Sequence, residues 1–302
     1  MTGSLKSGSA PFSRVAIVGV GLIGGSIAAG LKQRAPTTRI IGVGRSASKL
    51  QSAVARGWLD EVTEETRQAA SKSDLVIFCT PVDRIVAGVH EAALASQPGT
   101  LLTDVGSVKG EICRELMTGL PDKIEFLGGH PLAGSEKTGY EFSDPNLYAG
   151  RVCVLTPHAR NSPQQVARLK QFWELLGARV LQMSPEVHDK ALAETSHLPH
   201  LVASVMASIL ADENRPLTAT GFRDTTRIAA GDADLWTAIL LQNSTAVLDR
   251  LEHFDRIVQD FRDALHRRDA TTLRHLLEVG KLNRDALSKV STEAAAPSIE
   301  TS

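Results

Sequence analysis

The sequence predicts an α/β domain with a parallel sheet, followed by an all-helical dimerisation domain. Two observations lead to this fold class. From residue 14 to about residue 157, short β-branched runs alternate with helical patterns, which is typical of a parallel sheet with crossover helices. From Pro185 to about Leu287 the pattern is helical and no alternating run interrupts it. We therefore expect two domains in this 302-residue chain.

Seven apolar runs predict the strands of the first domain. They cover residues 15–19, 39–43, 74–79, 100–105, 124–127, 151–156 and 179–183. Residues 163–177 have the pattern of an amphipathic helix that ends at a glycine C-cap. Ser184 and Pro185 are typical of a helix start, because a hydroxyl N-cap precedes a proline at the first helical position. We therefore place the sheet domain at 14–184 and the helical domain at 185–287.

Two segments of the helical domain predict a homodimer. Residues 201–211 and 238–251 have apolar side chains around much of the helix circumference, so they need burial on more than one side. A self-sufficient helical bundle is the alternative. Residues 1–13 and 288–302 are rich in small and polar residues, and we expect both ends to be disordered.

Composition excludes several classes of protein. The formal net charge of −1 provides no basic field for nucleic acid and no polybasic patch for a membrane surface. The longest apolar stretch, 201–211, is much shorter than the roughly 20 residues that cross a bilayer. No secretory signal precedes residue 14, and the dispersed Cys79, Cys113 and Cys153 predict reduced core thiols. We expect a cytoplasmic protein without a bound metal.

A glycine-rich loop predicts a dinucleotide site of the Rossmann type. Gly19, Gly21 and Gly24 form a G-x-G-x-x-G motif between an apolar strand and an Ala-rich helix, with Leu22 and Ile23 inside it. Gly19 permits the tight turn, Gly21 lets the backbone approach the pyrophosphate, and Gly24 allows close packing of the helix on the strand. The N–H groups at the helix start favour phosphates. A glycine-rich structural turn is the alternative.

The residues after the next two strands predict which cofactor binds. NAD sites usually have an acidic residue at the end of the second strand, but this strand ends in Val43-Gly44-Arg45-Ser46. Arg45 and Ser46 suit a 2′-phosphate, so NADP is modestly favoured over NAD; alternatively, Arg45 only stacks on the adenine. Thr80 and Pro81 follow the third strand, where they line the cofactor or form an ordinary turn.

The sequence GGHPLAGSE at residues 128–136 predicts the reaction centre. His130 follows the fifth strand, and α/β sheets bind ligands at the carboxyl ends of their strands. Imidazole is also the side chain best suited to moving a proton near neutral pH. Ser107, in DVGSVK after the fourth strand, should face the same site.

Two further motifs lie in the helical domain. His197 and His200 are three residues apart and share a helix face, as do Arg223 and Arg227 if their segment is helical. Zinc binding is disfavoured because no further ligands accompany the histidines. The alternatives are that the histidines pack beneath the pocket and that Arg227 forms a surface ion pair. We assign His188 a structural role, since nine residues place it on the helix face opposite His197.

Together, the glycine-rich loop, VGSVK, GGHPLAGSE, HLPH and FRDTTRIA resemble the prephenate/arogenate dehydrogenase family of tyrosine biosynthesis, over roughly residues 14–287. The resemblance implies oxidative decarboxylation of prephenate, L-arogenate or both. Hydride leaves ring C4 for NAD(P), the ring carboxylate is lost as CO2, and the product is a phenol. The sequence leaves the choice of substrate open.

The resemblance also implies roles for individual residues. His130 accepts the proton of the C4 hydroxyl, Ser107 orients that hydroxyl and His130, Arg227 holds a substrate carboxylate, and His200 contacts the substrate. Further pocket residues are His197, Ser135, Glu136 and Arg223. Trp236 falls where the family has an aromatic residue near the subunit boundary.

Two alternatives remain. One is a β-hydroxyacid-type dehydrogenase, which uses a lysine on a helix of its second domain. The other is a dinucleotide-sensing protein without turnover.

Overall fold

The computed structural model describes residues 10–134 and 139–293, without the side chains of Ala47 and residues 288–293. The chain divides into two compact units, Met1–Val247 and Leu248–Ser302. The helices up to residue 247 belong to the same compact unit as the sheet, and the domain boundary between residues 184 and 185 stays a prediction. The described residues also differ from the predicted disordered ends: Phe12 is buried, and the last helix continues to Glu293. The rest of both ends lies outside the described residues.

One sheet of eight strands forms the centre of the first unit in the described residues. Its strands are β1 Arg14–Val18, β2 Arg39–Val43, β3 Glu61–Thr63, β4 Leu75–Phe78, β5 Leu101–Asp104, β6 Glu125–Pro131, β7 Val152–Thr156 and β8 Arg179–Gln182. Their order is β3-β2-β1-β4-β5-β6-β7-β8. Every neighbouring pair is parallel except β6 and β7.

Helices cover both faces of this sheet. They are α1 Leu22–Arg34, α2 Gln51–Ala55, α3 Thr66–Ser71, α4 Val82–Ala93, α5 Gly110–Leu116 and α6 Pro163–Leu175. Along β1, Val15 and Ile17 belong to one hydrophobic core, whereas Ala16 and Val18 belong to a second. Successive strand residues point to opposite faces, so both faces are buried, as is usual for parallel strands between helices. The predicted fold class is confirmed.

The helical region starts at the predicted cap, where Ser184 Oγ accepts a hydrogen bond from the Val187 amide. Its helices are α7 Pro185–Leu192, α8 Leu198–Ser208, α9 Thr220–Thr226, α10 Ala233–Gln242, α11 Ser244–Arg267 and α12 Ala270–Glu293. A π-helical turn, Ala193–His197, joins α7 to α8. The predicted apolar segment 238–251 is interrupted at Asn243, between α10 and α11. Among the described helices, none is both long and apolar enough to cross a membrane.

Two details of the sheet differ from the sequence prediction. Strand β3 was not predicted, because its three residues are too few to show an alternating pattern. Strand β7 is antiparallel to β6, an arrangement that requires no crossover helix. In the described part of the connection between them, the one helical element is a 3-10 turn, Tyr140–Phe142.

Strand β6 is longer than predicted, because it continues from residue 127 through Gly128 and Gly129 to Pro131. Glycine is usually rare in strands. Here it permits close approach: a Cβ at Gly128 would lie 2.4 Å from Thr156 Oγ1, and one at Gly129 would lie 2.9 Å from the Asp104 carbonyl oxygen. His130 is therefore paired within the strand, opposite Val154, rather than following it.

Candidate active site

The glycine-rich turn joins β1 to α1 and lies against the end of β4. Gly19 has a φ of +94°, and a Cβ there would lie 2.7 Å from the Cys79 carbonyl oxygen. A Cβ at Gly24 would lie 2.4 Å from the Gly19 carbonyl oxygen, whereas one at Gly21 would have no atom within 4 Å. Gly19 and Gly24 thus meet neighbouring protein atoms. Gly21 borders open space, directly before Leu22 and Ile23 begin α1.

The other predicted cofactor residues lie around this turn. Arg45 is exposed after β2, and Ser46 Oγ is 2.8 Å from Ser48 Oγ. Pro81 is the N-cap of α4. Thr80 Oγ1 is buried and has no hydrogen-bond partner within the described part of the chain. The unpaired buried hydroxyl of Thr80 and the open space at Gly21 each fit a bound dinucleotide, because buried polar groups normally find a partner.

His130 lies near the end of β6 and forms a chain of contacts with the helical region. Its side chain is almost buried, with 8% of the residue exposed. His130 Nδ1 is 2.8 Å from His188 Nε2, and His188 Nδ1 is 2.7 Å from Asp189 Oδ1. The two imidazole rings meet edge to face, with centroids 5.1 Å apart. Helix α7 therefore places a second histidine next to His130 Nδ1, and a carboxylate on the far side of that second histidine.

Asp189 also ties α7 to the start of α5. The backbone N–H of Lys109 donates to Asp189 Oδ1 at 2.8 Å, and that of Gly110 donates to Oδ2 at 2.7 Å. The fully buried Lys109 side chain forms an ion pair with Asp104. Asp104 also accepts hydrogen bonds from the amides of Gly106 and Gly129. These contacts join the end of β5 to the strand that contains His130.

Ser107 lies in this same β5–α5 connection and is half-buried. It is flanked by Gly106, whose amide binds Asp104, and by the buried Val108 and Lys109. Since Asp104 also binds the Gly129 amide, Ser107 and His130 lie at the same edge of the sheet.

The surroundings of His130 favour a neutral imidazole. Burial holds the pKa of His130 well below its usual value, and the nearby His188, Lys109 and His197 lower it further. Neutral imidazole has one nitrogen with a free lone pair. His130 is therefore able to accept a proton at neutral pH.

His197 and His200 are buried beside Trp236. The His200 ring stacks on Trp236, with centroids 3.5 Å apart, and the His197 ring meets the same indole edge to face. Asn243 Nδ2 donates to His197 Nδ1 at 3.0 Å. His197 Nε2 and His200 Nδ1 have no hydrogen-bond partner among the described residues. Burial lowers the pKa of both rings, that of His197 to about 4.

The remaining predicted residues are not brought to His130 in the described residues. Arg223 is exposed on α9, and Arg227 is exposed in the 3-10 turn Arg227–Ala230, which packs against α8. Ser135 and Glu136 lie outside the described residues.

Sequence reasoning missed His188 and Asp189 as site residues. Nine residues of regular helix rotate a side chain by about 900°, which places His188 about 180° from His197. The π turn between them contains one residue more than a regular helical turn. The angle between His188 and His197 around the helix axis is therefore nearer to about 80°. The His-Asp pair directly after a helix start was the available signal, but its partner His130 is 58 positions away.

The three cysteines are free, Cys113 and Cys153 being buried and Cys79 partly buried. Burial raises the pKa of Cys113 to about 11 and also raises the pKa of the other two. Thiols of this kind are poor nucleophiles at neutral pH. In residues 10–134 and 139–293, no group of three or more His, Cys, Asp or Glu is arranged to hold a metal ion.

Comparison with known proteins finds relatives over most of the chain. Residues 27–182 match the family model of the prephenate dehydrogenase nucleotide-binding domain, and residues 184–279 match that of the dimerization domain. A cyclohexadienyl dehydrogenase from Zymomonas mobilis is 34% identical over 291 residues, which cover 93% of this chain and 97% of that protein. A prephenate dehydrogenase from Bacillus subtilis is 34% identical over 280 residues, 90% of this chain and 76% of that protein.

The solved structures that resemble this chain include a prephenate dehydrogenase and an arogenate dehydrogenase. The prephenate dehydrogenase of Aquifex aeolicus, in complex with hydroxyphenyl propionate and NAD+, has a TM-score of 0.84 and 32% identity, covering 91% of this chain and 98% of the other. The arogenate dehydrogenase of Synechocystis has a TM-score of 0.78 and 29% identity, covering 91% and 99%. These matches do not favour a β-hydroxyacid-type dehydrogenase or a sensing protein. The chain belongs to the prephenate dehydrogenase family.

Proposed function

We propose that this protein catalyses the oxidative decarboxylation of prephenate, L-arogenate or both, with NAD(P) as hydride acceptor. The observation that supports this most strongly is His130, a buried neutral imidazole at the sheet edge that also has the glycine-rich turn. A neutral imidazole has a free lone pair, which can accept a hydroxyl proton. The relatives named above are dehydrogenases of these substrates.

In this mechanism His130 accepts the proton of the ring C4 hydroxyl while hydride leaves C4. When bound, the cofactor supplies a nicotinamide that accepts the hydride. The resulting dienone loses the ring carboxylate as CO2 and becomes a phenolate, which takes back the proton from His130 and leaves as a phenol. Ser107 orients the hydroxyl toward His130 from the neighbouring strand end. Arg227 holds a substrate carboxylate, for which its guanidinium fork is suited.

Five further residues are proposed as pocket residues from the family resemblance alone. They are His197, His200, Arg223, Ser135 and Glu136. Two observations support a ligand near the histidines: His197 Nε2 and His200 Nδ1 are buried without a partner in the described ranges. A polar substrate would satisfy these nitrogens.

The cofactor pyrophosphate would be held by the glycine-rich turn and by the residues at the end of β4. These are Gly19, Gly21, Leu22, Ile23 and Gly24 in the turn, and Thr80 and Pro81 after β4. Open space at Gly21 and the unpaired Thr80 hydroxyl support this.

NADP is proposed as the better cofactor because Arg45 and Ser46 follow β2 in place of an acidic residue. Comparing kcat/KM for NAD and NADP tests this, and Arg45→Asp is expected to shift the ratio toward NAD. A strong NAD preference of the unaltered enzyme would refute the role of Arg45.

We also propose a homodimer formed through the helical domain, with the domains at 14–184 and 185–287 as predicted. The match to a dimerization domain supports it, as do exposed apolar side chains such as Ile209 and Leu241, which are 76% and 69% exposed. Sedimentation analysis should give twice the chain mass. A cytoplasmic location stays a prediction of the sequence.

The deciding experiment is a set of steady-state assays with prephenate and L-arogenate, each with NAD and with NADP. His130→Asn should bind cofactor normally while turnover falls by roughly 100-fold or more. Cofactor binding without turnover of either compound would instead indicate a sensing protein. Retained turnover in His130→Asn would refute the proposed base.

A further inference from the structure

The contact between His130 and His188 constrains where their protons lie. Two imidazole nitrogens 2.8 Å apart share one proton, so one ring donates and the other accepts. The direction is decided at the far side of His188, where Nδ1 lies 2.7 Å from Asp189 Oδ1. A carboxylate only accepts, so His188 Nδ1 has the proton. When His188 is neutral, its Nε2 has a free lone pair, and His130 Nδ1 must be the donor.

Asp189 is well placed to keep this direction. Its oxygens accept from three N–H groups, those of Lys109, Gly110 and His188 Nδ1. Two of these donors belong to the backbone, which cannot turn away or exchange donor for acceptor. Asp189 is also almost fully buried, so water does not compete for its oxygens. A charged acceptor held in this way orients the ring beside it.

We infer that Asp189 and His188 are a positioning pair, which holds the proton of His130 on Nδ1 and leaves Nε2 as the base toward the substrate. The inference rests on the proposed role of His130 as general base. Neither partner contacts the reacting atoms. His188 acts by accepting the hydrogen bond from His130, and Asp189 acts by fixing the tautomer of His188.

The pair also compensates the charge that catalysis creates. When His130 gains a proton at Nε2, its ring becomes cationic in a buried environment close to the Lys109 ammonium. An unpaired buried charge is costly. The carboxylate of Asp189, connected through His188, makes the three side chains neutral together. The proton at Nδ1 remains between the two rings throughout.

The first test reads the tautomer directly, without substrate. With ¹⁵N-labelled histidine, NMR separates protonated from bare ring nitrogens, and His130→Asn identifies the signals of His130. At neutral pH we expect His130 to be protonated at Nδ1 and bare at Nε2. Protonation at Nε2 in the unaltered enzyme would overturn the inference, whether or not the enzyme turns over either substrate. Conversely, absence of turnover with the expected tautomer would refute the proposed function alone.

The second test uses variants of the pair. Asp189→Asn leaves one oxygen for three donors and removes the charge, so kcat should fall roughly 100-fold or more, while KM changes little. Glu186→Gln is the matched control, since it removes an exposed carboxylate from the same helix, and its kcat should stay unchanged. An unchanged kcat in Asp189→Asn would overturn the inference.

A third pair of variants separates positioning from packing. The amide oxygen of His188→Gln can still accept from His130 Nδ1, whereas His188→Phe fills the space without a polar atom. We expect His188→Gln to retain more kcat than His188→Phe, at equal affinity for the cofactor. Equal kcat values in the two variants would show a packing role and contradict the inference. If either variant does not fold, the NMR experiment on the unaltered enzyme still decides the tautomer.

Discussion

Replacing Gly24 by alanine is expected to destabilise the protein, whereas the same change at Gly21 should mainly weaken cofactor binding. The Cβ of Gly24→Ala would lie 2.4 Å from the Gly19 carbonyl oxygen and 2.9 Å from Ile17 Cγ2. Real Cβ atoms essentially never come closer than 3.0 Å, so α1 has to move by at least 0.6 Å (3.0 − 2.4). The obstacle is backbone, which no side-chain rotation removes.

The magnitude follows from two opposing effects. Overpacking of a well-packed site costs about 1–3 kcal/mol, and alanine regains about 0.5–1 kcal/mol over glycine inside a helix. The net loss is centred on about 1 kcal/mol and is at most about 2.5 kcal/mol. For a unit of this size each kcal/mol shifts Tm by about 2–4 °C, so Gly24→Ala should lower Tm by about 2–4 °C, and by no more than about 10 °C.

Gly21→Ala provides the matched comparison. Its Cβ would have no protein atom within 4 Å, and its φ of −101° is accessible to alanine. Stability should therefore change by less than about 0.5 kcal/mol. The added methyl group would occupy the space proposed for the pyrophosphate, so the Kd for NAD(P) should rise by roughly tenfold or more, about 1.4 kcal/mol.

Thermal unfolding of both variants without cofactor, and calorimetric titration with NAD and NADP, measure the two effects. A Gly24→Ala variant with unchanged Tm would refute the packing argument. A Gly21→Ala variant with unchanged affinity for both cofactors would refute the placement of the pyrophosphate.

Three further predictions concern the buried charged and titratable groups. Because burial holds the pKa of His130 below its usual value, kcat/KM should rise with pH through a pKa clearly below 6.5; a rise centred above pH 7 would contradict this. Burial lowers the pKa of His197 to about 4 in the folded protein, so the unfolded chain binds a proton at this side chain more readily. The free energy of unfolding should therefore be highest above about pH 6.5 and fall by at most about 3 kcal/mol as the pH drops to 4. Urea unfolding across this pH range should show a smaller pH dependence for His197→Gln than for the unaltered protein. Lys109→Met leaves the buried Asp104 carboxylate unpaired and should cost about 3–5 kcal/mol, whereas Lys72→Met, which removes a partly exposed ion pair, should cost less than about 1 kcal/mol; similar losses in denaturant unfolding would refute the distinction.

Local patterns in the sequence were sufficient for much of the fold. The β-branched runs predicted β1, β2, β4 and β5 within a residue or two of their observed ends, because strands buried on both faces are nearly continuous apolar runs. The cap at Ser184 and the φ of +88° at Gly177 also follow from local chemistry. Short or irregular elements escaped prediction: β3 has too few residues for a period, and the glycines of β6 have low strand propensity.

The same division applies to the candidate site. His130, Ser107 and the glycine-rich turn were predicted as site residues because each follows or ends a predicted strand, and parallel strands end at a common edge. His188 and Asp189 had no such signal. Their role depends on a π turn that changes the direction of the following helix and on backbone amides of α5 that bind Asp189.

The sequence by itself determined most of the strands, the glycine turn, the family resemblance and the histidine proposed as base, because these depend on residues close together in the chain. The tertiary structure decided which side chains contact that histidine on its Nδ1 side. Hydrogen bonds between positions 130 and 188, and between 109 and 189, form only after α7 packs against α5 and the end of β6. Pairings over 58 and 80 positions leave no periodic pattern in the sequence, because side-chain geometry in three dimensions selects them.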